Sequence, residues 1–246
     1  MSSFVLNEHE IKRYDGQLNF AEIGNAGQIK LKNSKIVVIG AGGLGIPIIQ
    51  YLSASGVGTI CIIDYAVINY DNIQNQTLYS VSDFGKLKTI VAKNNFEKVF
   101  NLVSYEIFNI KVNNENCESL LKNYDFVVDA TNNDYIHCIV DKVCNKMKIT
   151  YITGILSGMI GYISVFNYLQ GIDYNDFNKW LTNKLNNSKP GFAYATYGIM
   201  GTFMAMESIR GIINLNKSLF GKVLILDFEQ YKFFVTQFKS EFVNNL

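Results

Sequence analysis

The sequence predicts an α/β fold: a doubly wound, mostly parallel sheet with additional antiparallel strands in the C-terminal half. Three observations predict it. Short apolar runs, KIVVI at 35–39, TICIID at 59–64 and DFVVDA at 125–130, read as strands covered on both faces. Segments with helical spacing separate them, so strand and helix alternate. After about residue 158 that rhythm stops, and GKVLILDF with YKFFVTQF, within 221–238, reads as a closing antiparallel hairpin.

Each element follows in turn. Residues 35–39 open the sheet, with a helix expected from about 44 to 55. The second strand, 59–64, ends in an acid. A helix near 83–99, a strand near 103–108 and a helix over roughly 115–123 come next. After the strand at 125–130, Tyr135, Ile136, Ile139, Val140 and Val143 mark a helix over 133–147. His137 lies within that pattern and reads as structural. ITYITG, 149–154, ends the alternating series, and GMIGYISVFNYLQ, 158–170, reads as a strand or hairpin. Residues 171–192 are polar and rich in Asn and Lys. They read as a mobile crossover with a short helix around Phe177–Leu185. A long helix is expected over 195–213, where Gly198, Gly201 and Ala205 permit close packing. The final hairpin turns near Glu229–Gln230.

Composition removes several classes of function. The chain has 246 residues, 48% hydrophobic and 17% charged, enough for one large domain. A net charge of +1 without a long basic run gives no electrostatic case for nucleic acid. The segment MSSFVLNEHE does not read as a signal peptide, and no apolar run approaches the length of a membrane span, so the expectation is a cytoplasmic protein with no membrane partner. Cys61, Cys117, Cys138 and Cys144 form no C-x-x-C pair, so no zinc is expected. His9 and His137 are the only histidines, too few for a His-rich metal site. No metal-ligating set is assigned.

The chemistry begins at VVIGAGGLGIP, 37–47. Gly40, Gly42 and Gly45 satisfy G-x-G-x-x-G, and Gly43 adds a fourth glycine. The first glycine makes the tight turn, the second lets a phosphate approach the backbone, and the third lets helix and strand pack closely. The helix N-terminus then faces the anion. Asp64 stands at the end of the next strand, where a carboxylate accepts ribose hydroxyls. This Rossmann-like fingerprint alone fits NAD as well as ATP.

Four further stretches bear on that choice: RYDGQL at 13–18, NIQNQTLYS at 72–80, FGKLK at 84–88 and VVDATNN at 127–133. With them the chain resembles the MoeB/ThiF family of ubiquitin-like-protein activating enzymes, from about residue 10 to residue 238. The late helix GIMGTFMAMESIRG and the strand GKVLILDF belong to the resemblance. It implies an enzyme that binds MgATP and adenylates the C-terminal carboxylate of a small β-grasp carrier protein or a peptide. It also implies a homo- or heterodimer. Gly40, Gly42, Gly43 and Gly45 would cradle the phosphates, Asp64 the ribose, and Lys88 would reach the phosphates. Asn72 and Gln76 match family positions near the ribose and phosphates, and Arg13 belongs to the N-terminal motif. The expected organisation is one domain over 1–246: a helical arm at 1–30, a nucleotide-binding half at 31–154 and a carrier-binding, closing half at 155–246.

The chain departs from the family at the phosphates. The family's R-Y-x-R-Q is Arg13-Tyr14-Asp15-Gly16-Gln17, its N-x-Q-R-Q is Asn72-Ile73-Gln74-Asn75-Gln76, and its C-T-D-N is Ala130-Thr131-Asn132-Asn133. Two arginines are therefore Gly16 and Asn75, and the magnesium aspartate is Asn132, which puts Mg in question. An arginine that stabilises phosphoryl transfer is worth about 10³–10⁵ in rate, or about 4–7 kcal/mol. Asn75 and Asn132 join Lys88 as the candidate catalytic positions. Arg13, Lys86 and Asp134 are sequence neighbours able to compensate. Gly16, Asn75 and Asn132 equally fit a pseudoenzyme that pairs with an active homologue. A nicotinamide-dependent oxidoreductase is the remote alternative, since the second half offers no evident proton donor.

Overall fold

The structure is a computed structural model, described here for residues 5–166, 173–185, 193–215 and 219–238. In chain order the helices are α1 Glu8–Arg13, α2 Asp15–Leu18, α3 Gly24–Asn33, α4 Gly45–Ala54, α5 Tyr70–Ile73, α6 Lys88–Val99, α7 Cys117–Leu121, α8 Asp134–Met147, α9 Tyr174–Leu185 and α10 Tyr194–Ile212. The strands are β1 Lys35–Ile39, β2 Thr59–Ile63, β3 Ser104–Phe108, β4 Phe126–Asp129, β5 Thr150–Ser157, β6 Ile160–Phe166, β7 Lys222–Asp227 and β8 Lys232–Gln237.

One eight-stranded sheet runs β3-β2-β1-β4-β5-β6-β7-β8. Pairing from β3 through β5 is parallel, and from β5 through β8 antiparallel. The chain is therefore α/β with a mostly parallel sheet and antiparallel strands at its C-terminal end. Period-two alternation explains why both faces are covered. On β1, Ile36 and Val38 join a core that also holds Leu44 just before α4, Ile48 and Leu52 of α4, and Met200 and Met204 of α10. Val37 and Ile39 join the opposite core with Ile136, Ile139 and Val140 of α8 and Phe177 of α9. Strand order reverses at β1, which pairs with β2 on one side and β4 on the other. That reversal opens a crevice beyond the C-terminal ends of the strands.

Some boundaries differ from expectation for local reasons. The helix expected near 83–99 starts at Lys88. Before it, Val81–Asp83 is a single 3₁₀ turn capped by Ser80, and Gly85 sits at φ +76°, a left-handed conformation that interrupts a helix. Strand β5 extends past residue 154, because Gly154 to Ser157 pair with β6 across the Gly158–Met159 turn. Within the expected mobile crossover, Tyr174–Leu185 is helix α9, held by Tyr174 N–H donating to Asp141. The remainder of that crossover lies outside the described residues. His137 is fully buried, its Nδ1 2.9 Å from Asp129 Oδ2, and is a structural side chain as expected. No described helix is long and apolar enough to cross a membrane.

Candidate functional site: a cleft at the glycine turn

The turn after β1 requires glycine at two positions. Gly40 has φ +100°, and a Cβ there would meet the Ala130 carbonyl at 3.2 Å. A Cβ on Gly45 would lie 1.8 Å from the Gly40 oxygen, so the start of α4 closes onto the turn only without a side chain. Ile46 N–H donates to the Gly42 oxygen, which begins the helical ladder. Among the described residues the N–H groups of Gly42 and Gly43 have no acceptor, and with the α4 dipole they make an anion-binding end.

Gly40, Gly42, Asp64 and Lys88 line one cavity of about 300 Å³. That is the lower end of small-molecule sites. Its apolar wall is Ile39, Ile63, Ile110, Val112, Ala130 and Ile136. Asp64 sits at the C-terminal end of β2. Its Oδ2 accepts from Ala41 N–H and its Oδ1 from Ala66 N–H, both at 2.8 Å. The same carboxylate thus fixes the glycine turn and faces the cavity. Lys88, the first residue of α6, is only 7% exposed. Burial pushes its ammonium below the ordinary lysine value, and the Asp64 charge opposes that shift. Among the described residues the ammonium has no ion-pair partner, so it is a buried cation facing a cavity.

The other expected residues are placed differently. Gly43 and Asn75 line a neighbouring depression of about 190 Å³ together with Tyr194 and Gly198. Asn75 Oδ1 is buried there without a hydrogen bond, and the same holds for Oε1 of the buried Gln76. The Gln76 amide lies against Gly42, 3.7 Å from where a Cβ would stand. Asn72 is not in the cavity wall; its side chain caps α5 by accepting from Asn69 N–H. Asn132 is also absent from the wall. It sits at φ +50° and accepts from Leu156 N–H at 3.2 Å, which ties the end of β4 to β5. Thr131 and Asn133 line the cavity instead.

Arg13 lies away from the cavity of its own chain. Its guanidinium donates to the Val99 carbonyl and to Asn101 Oδ1, past the far end of α6 from Lys88. At 1.5 Å per residue, helix α6 alone separates the two by roughly 16 Å. Arg13 is therefore not part of this chain's own cavity. The suggested compensators are engaged elsewhere. Lys86 is paired with Asp83 at 3.0 Å, and Asp134 accepts from Tyr174 O–H. Asn133, rather than Asp134, caps α8.

Sequence reasoning missed Tyr65 and Lys111, both of which line the cavity. Lys111 Nζ lies 5.5 Å from the Tyr65 ring centroid. Tyr65 was signalled by its place directly after Asp64. Lys111 had no local signal, because it arrives by the pairing of β3 with β2.

The chain is 33% identical over 224 residues to the molybdopterin-synthase adenylyltransferase of Haemophilus influenzae, covering 90% of this chain and 92% of that one. It is 34% identical over 238 residues to the probable molybdopterin-synthase adenylyltransferase of Porphyra purpurea, and spans only 62% of that relative's length. The solved structure of Escherichia coli MccB with ATP superposes with a TM-score of 0.81 at 23% identity, covering 97% of this chain and 75% of the other. That likeness shows the fold alone. Residues 14–244 match the ThiF family, and the chain belongs to that family.

Proposed function

We propose that the protein is an ATP-dependent adenylyltransferase acting on the C-terminal carboxylate of a small ubiquitin-like sulfur carrier or a peptide. The observation that carries the reading is the single cavity shared by Gly40, Gly42, Asp64 and Lys88. Adenine packs against the Ile39, Ile63, Val112 and Ile136 wall. Asp64 keeps lone pairs for the ribose hydroxyls beyond those given to Ala41 and Ala66. The free N–H groups of the glycine turn and the Lys88 ammonium face the phosphates. The acceptor carboxylate attacks the α-phosphorus, an O–P bond forms, and the bond to pyrophosphate breaks. Charge grows on the α-phosphate and the leaving group, which is where preorganised donors and a buried cation act most strongly.

The names of the relatives support the reaction class, since molybdopterin-synthase and sulfur carrier protein adenylyltransferases stand among them. A structure of E. coli MccB with a form of MccA supports a peptide as the alternative substrate. Magnesium in nucleotide sites takes one or two carboxylates together with the substrate's phosphates, and the described residues offer it no ready-made protein cage. Among the described residues no three His, Cys, Asp or Glu side chains gather, and the Asn132 carbonyl is committed to Leu156. No step above depends on a metal held by the protein. Exposed Ile199 and Met206 on α10 support pairing with a second chain, identical or not.

A second reading is a catalytically impaired partner of an active homologue. Asn132 turned away from the cavity and Asn75 in place of a cation favour it. Family membership leaves the nicotinamide reading without support. Calorimetric titration with MgATP and with NAD, followed by pyrophosphate release in the presence of Gly-Gly-ending β-grasp proteins and of peptides, separates the three. Release supports adenylation, ATP binding without release supports the impaired partner, and NAD binding without ATP binding refutes both.

A further inference from the structure

We propose that Tyr79 is a positioning residue that aims the Gly42 N–H into the nucleotide cavity; this rests on the nucleotide-binding reading above. The Tyr79 hydroxyl is buried beneath the glycine turn and donates to the Ala41 carbonyl at 2.8 Å. It also lies 3.4 Å from the Lys88 carbonyl. The Ala41 carbonyl and the Gly42 N–H belong to one peptide unit, which is planar and trans. They point in opposite directions. Drawing the carbonyl toward Tyr79, in the core, turns the N–H toward the cavity that Gly42 lines.

Among the described residues that peptide unit makes no other hydrogen bond, although the next one is held by Ile46 N–H on the Gly42 oxygen. The preceding peptide is held from its own side, where Ala41 N–H donates to Asp64 Oδ2. Gly42 has no side chain to resist rotation, and a Cβ there would find its nearest neighbour only at 3.7 Å. A glycine whose Cβ position meets only an ordinary van der Waals neighbour changes its backbone angles at little steric cost, so the bond to the Ala41 carbonyl is what opposes a flip of the Ala41–Gly42 peptide. The single hydroxyl proton goes to Ala41, the nearer carbonyl, while the Lys88 carbonyl lies at the edge of hydrogen-bond range. Tyr79 thus orients the phosphate-facing Gly42 N–H from behind the turn. A hydrogen bond to the carbonyl also polarises the peptide and makes its N–H a better donor.

The test uses the full chain with Tyr79→Phe, which removes only the hydroxyl. Tyr105→Phe is the control, because Tyr105 O–H also bonds within the core, to Ser53 on α4, but not to the turn. Two quantities are read: the Kd for ATP by calorimetry, and millisecond exchange at the Gly42 amide by nitrogen-15 relaxation dispersion. The expected result for Y79F is an approximately tenfold weaker Kd with new exchange at Gly42, while Y105F stays within about twofold of wild type and shows none. Equal weakening by both variants, or a Y79F protein with an unchanged Gly42 signal, overturns the proposal. Wild type alone also decides it, since a Gly42 amide already exchanging between two orientations overturns it even if Y79F does not fold. Failure of wild type to bind ATP counts against the nucleotide reading, and the Gly42 measurement still judges the clamp.

Discussion

Lys88 is predicted to trade stability for ligand affinity, and Lys88→Met separates the two. The residue is 7% exposed, and burial holds its ammonium below the ordinary lysine value. Methionine keeps much of the length and removes the charge. Taking an incompletely compensated ammonium out of a protein interior is expected to stabilise the fold by about 1–3 kcal/mol. For a chain of this size that raises Tm by roughly 2–10 °C. Loss of a charge-assisted bond to phosphate costs about 1.5–3 kcal/mol, so the Kd for ATP weakens roughly 10- to 150-fold. The pH dependence has a definite sign. The folded pKa of Lys88 lies below its unfolded value of 10.5. Between the two, the unfolded chain binds the proton and the folded chain does not, so wild-type stability rises with pH across that window. The advantage of K88M in Tm is therefore widest below the lowered pKa and shrinks as the pH approaches 10.5. Differential scanning calorimetry across pH, with titration of ATP at neutral pH, measures both effects. A variant that melts lower than wild type while keeping its ATP affinity within twofold would refute the reasoning.

Three further outcomes follow from the same geometry. Asp64→Asn leaves one acceptor oxygen for the N–H groups of Ala41 and Ala66; a loss of about 1.5–3 kcal/mol in denaturant titration and at least a tenfold weaker Kd for ATP are expected. Gly45→Ala drives a Cβ to 1.8 Å from the Gly40 oxygen, and thermal unfolding should show a loss of about 3 kcal/mol or more. Asn132→Asp keeps the acceptor for Leu156 N–H and tolerates φ +50°, so Tm should stay within about 2 °C. A magnesium-dependent gain in pyrophosphate release would favour the adenylation reading, and no gain at all would favour the impaired partner.

Much of this was legible in the sequence because it is encoded locally. KIVVI, TICIID and DFVVDA carry the apolar continuity of strands buried on both faces. Gly45 is dictated by a backbone contact within one turn and Gly40 by its φ of +100°, although the carbonyl that crowds Gly40 belongs to Ala130 at the end of β4. Asp64 ends its strand beside that turn because β1 and β2 are parallel and in register. The start of α6 was misjudged because the apolar spacing near 83–99 does not reveal Gly85 in a left-handed conformation. The short helix expected around Phe177–Leu185 in the polar crossover begins three residues earlier, at Tyr174, because Tyr174 and Phe177 are buried against α8.

By itself the sequence determined the fold class, the glycine turn, the acid at the end of β2 and the family, since each depends on residues within one strand–turn–helix unit or on ordered motifs. Tertiary structure alone decided which side chains meet: Lys111 enters the cavity through strand pairing, Arg13 is drawn to the far end of α6, and Asn132 turns to Leu156. Tyr79 reaches the Ala41 carbonyl across 38 residues of chain. The physical reason is that a side chain's partners are set by strand order, register and the residue at which a helix begins, and those are properties of the packed chain rather than of any one stretch of it.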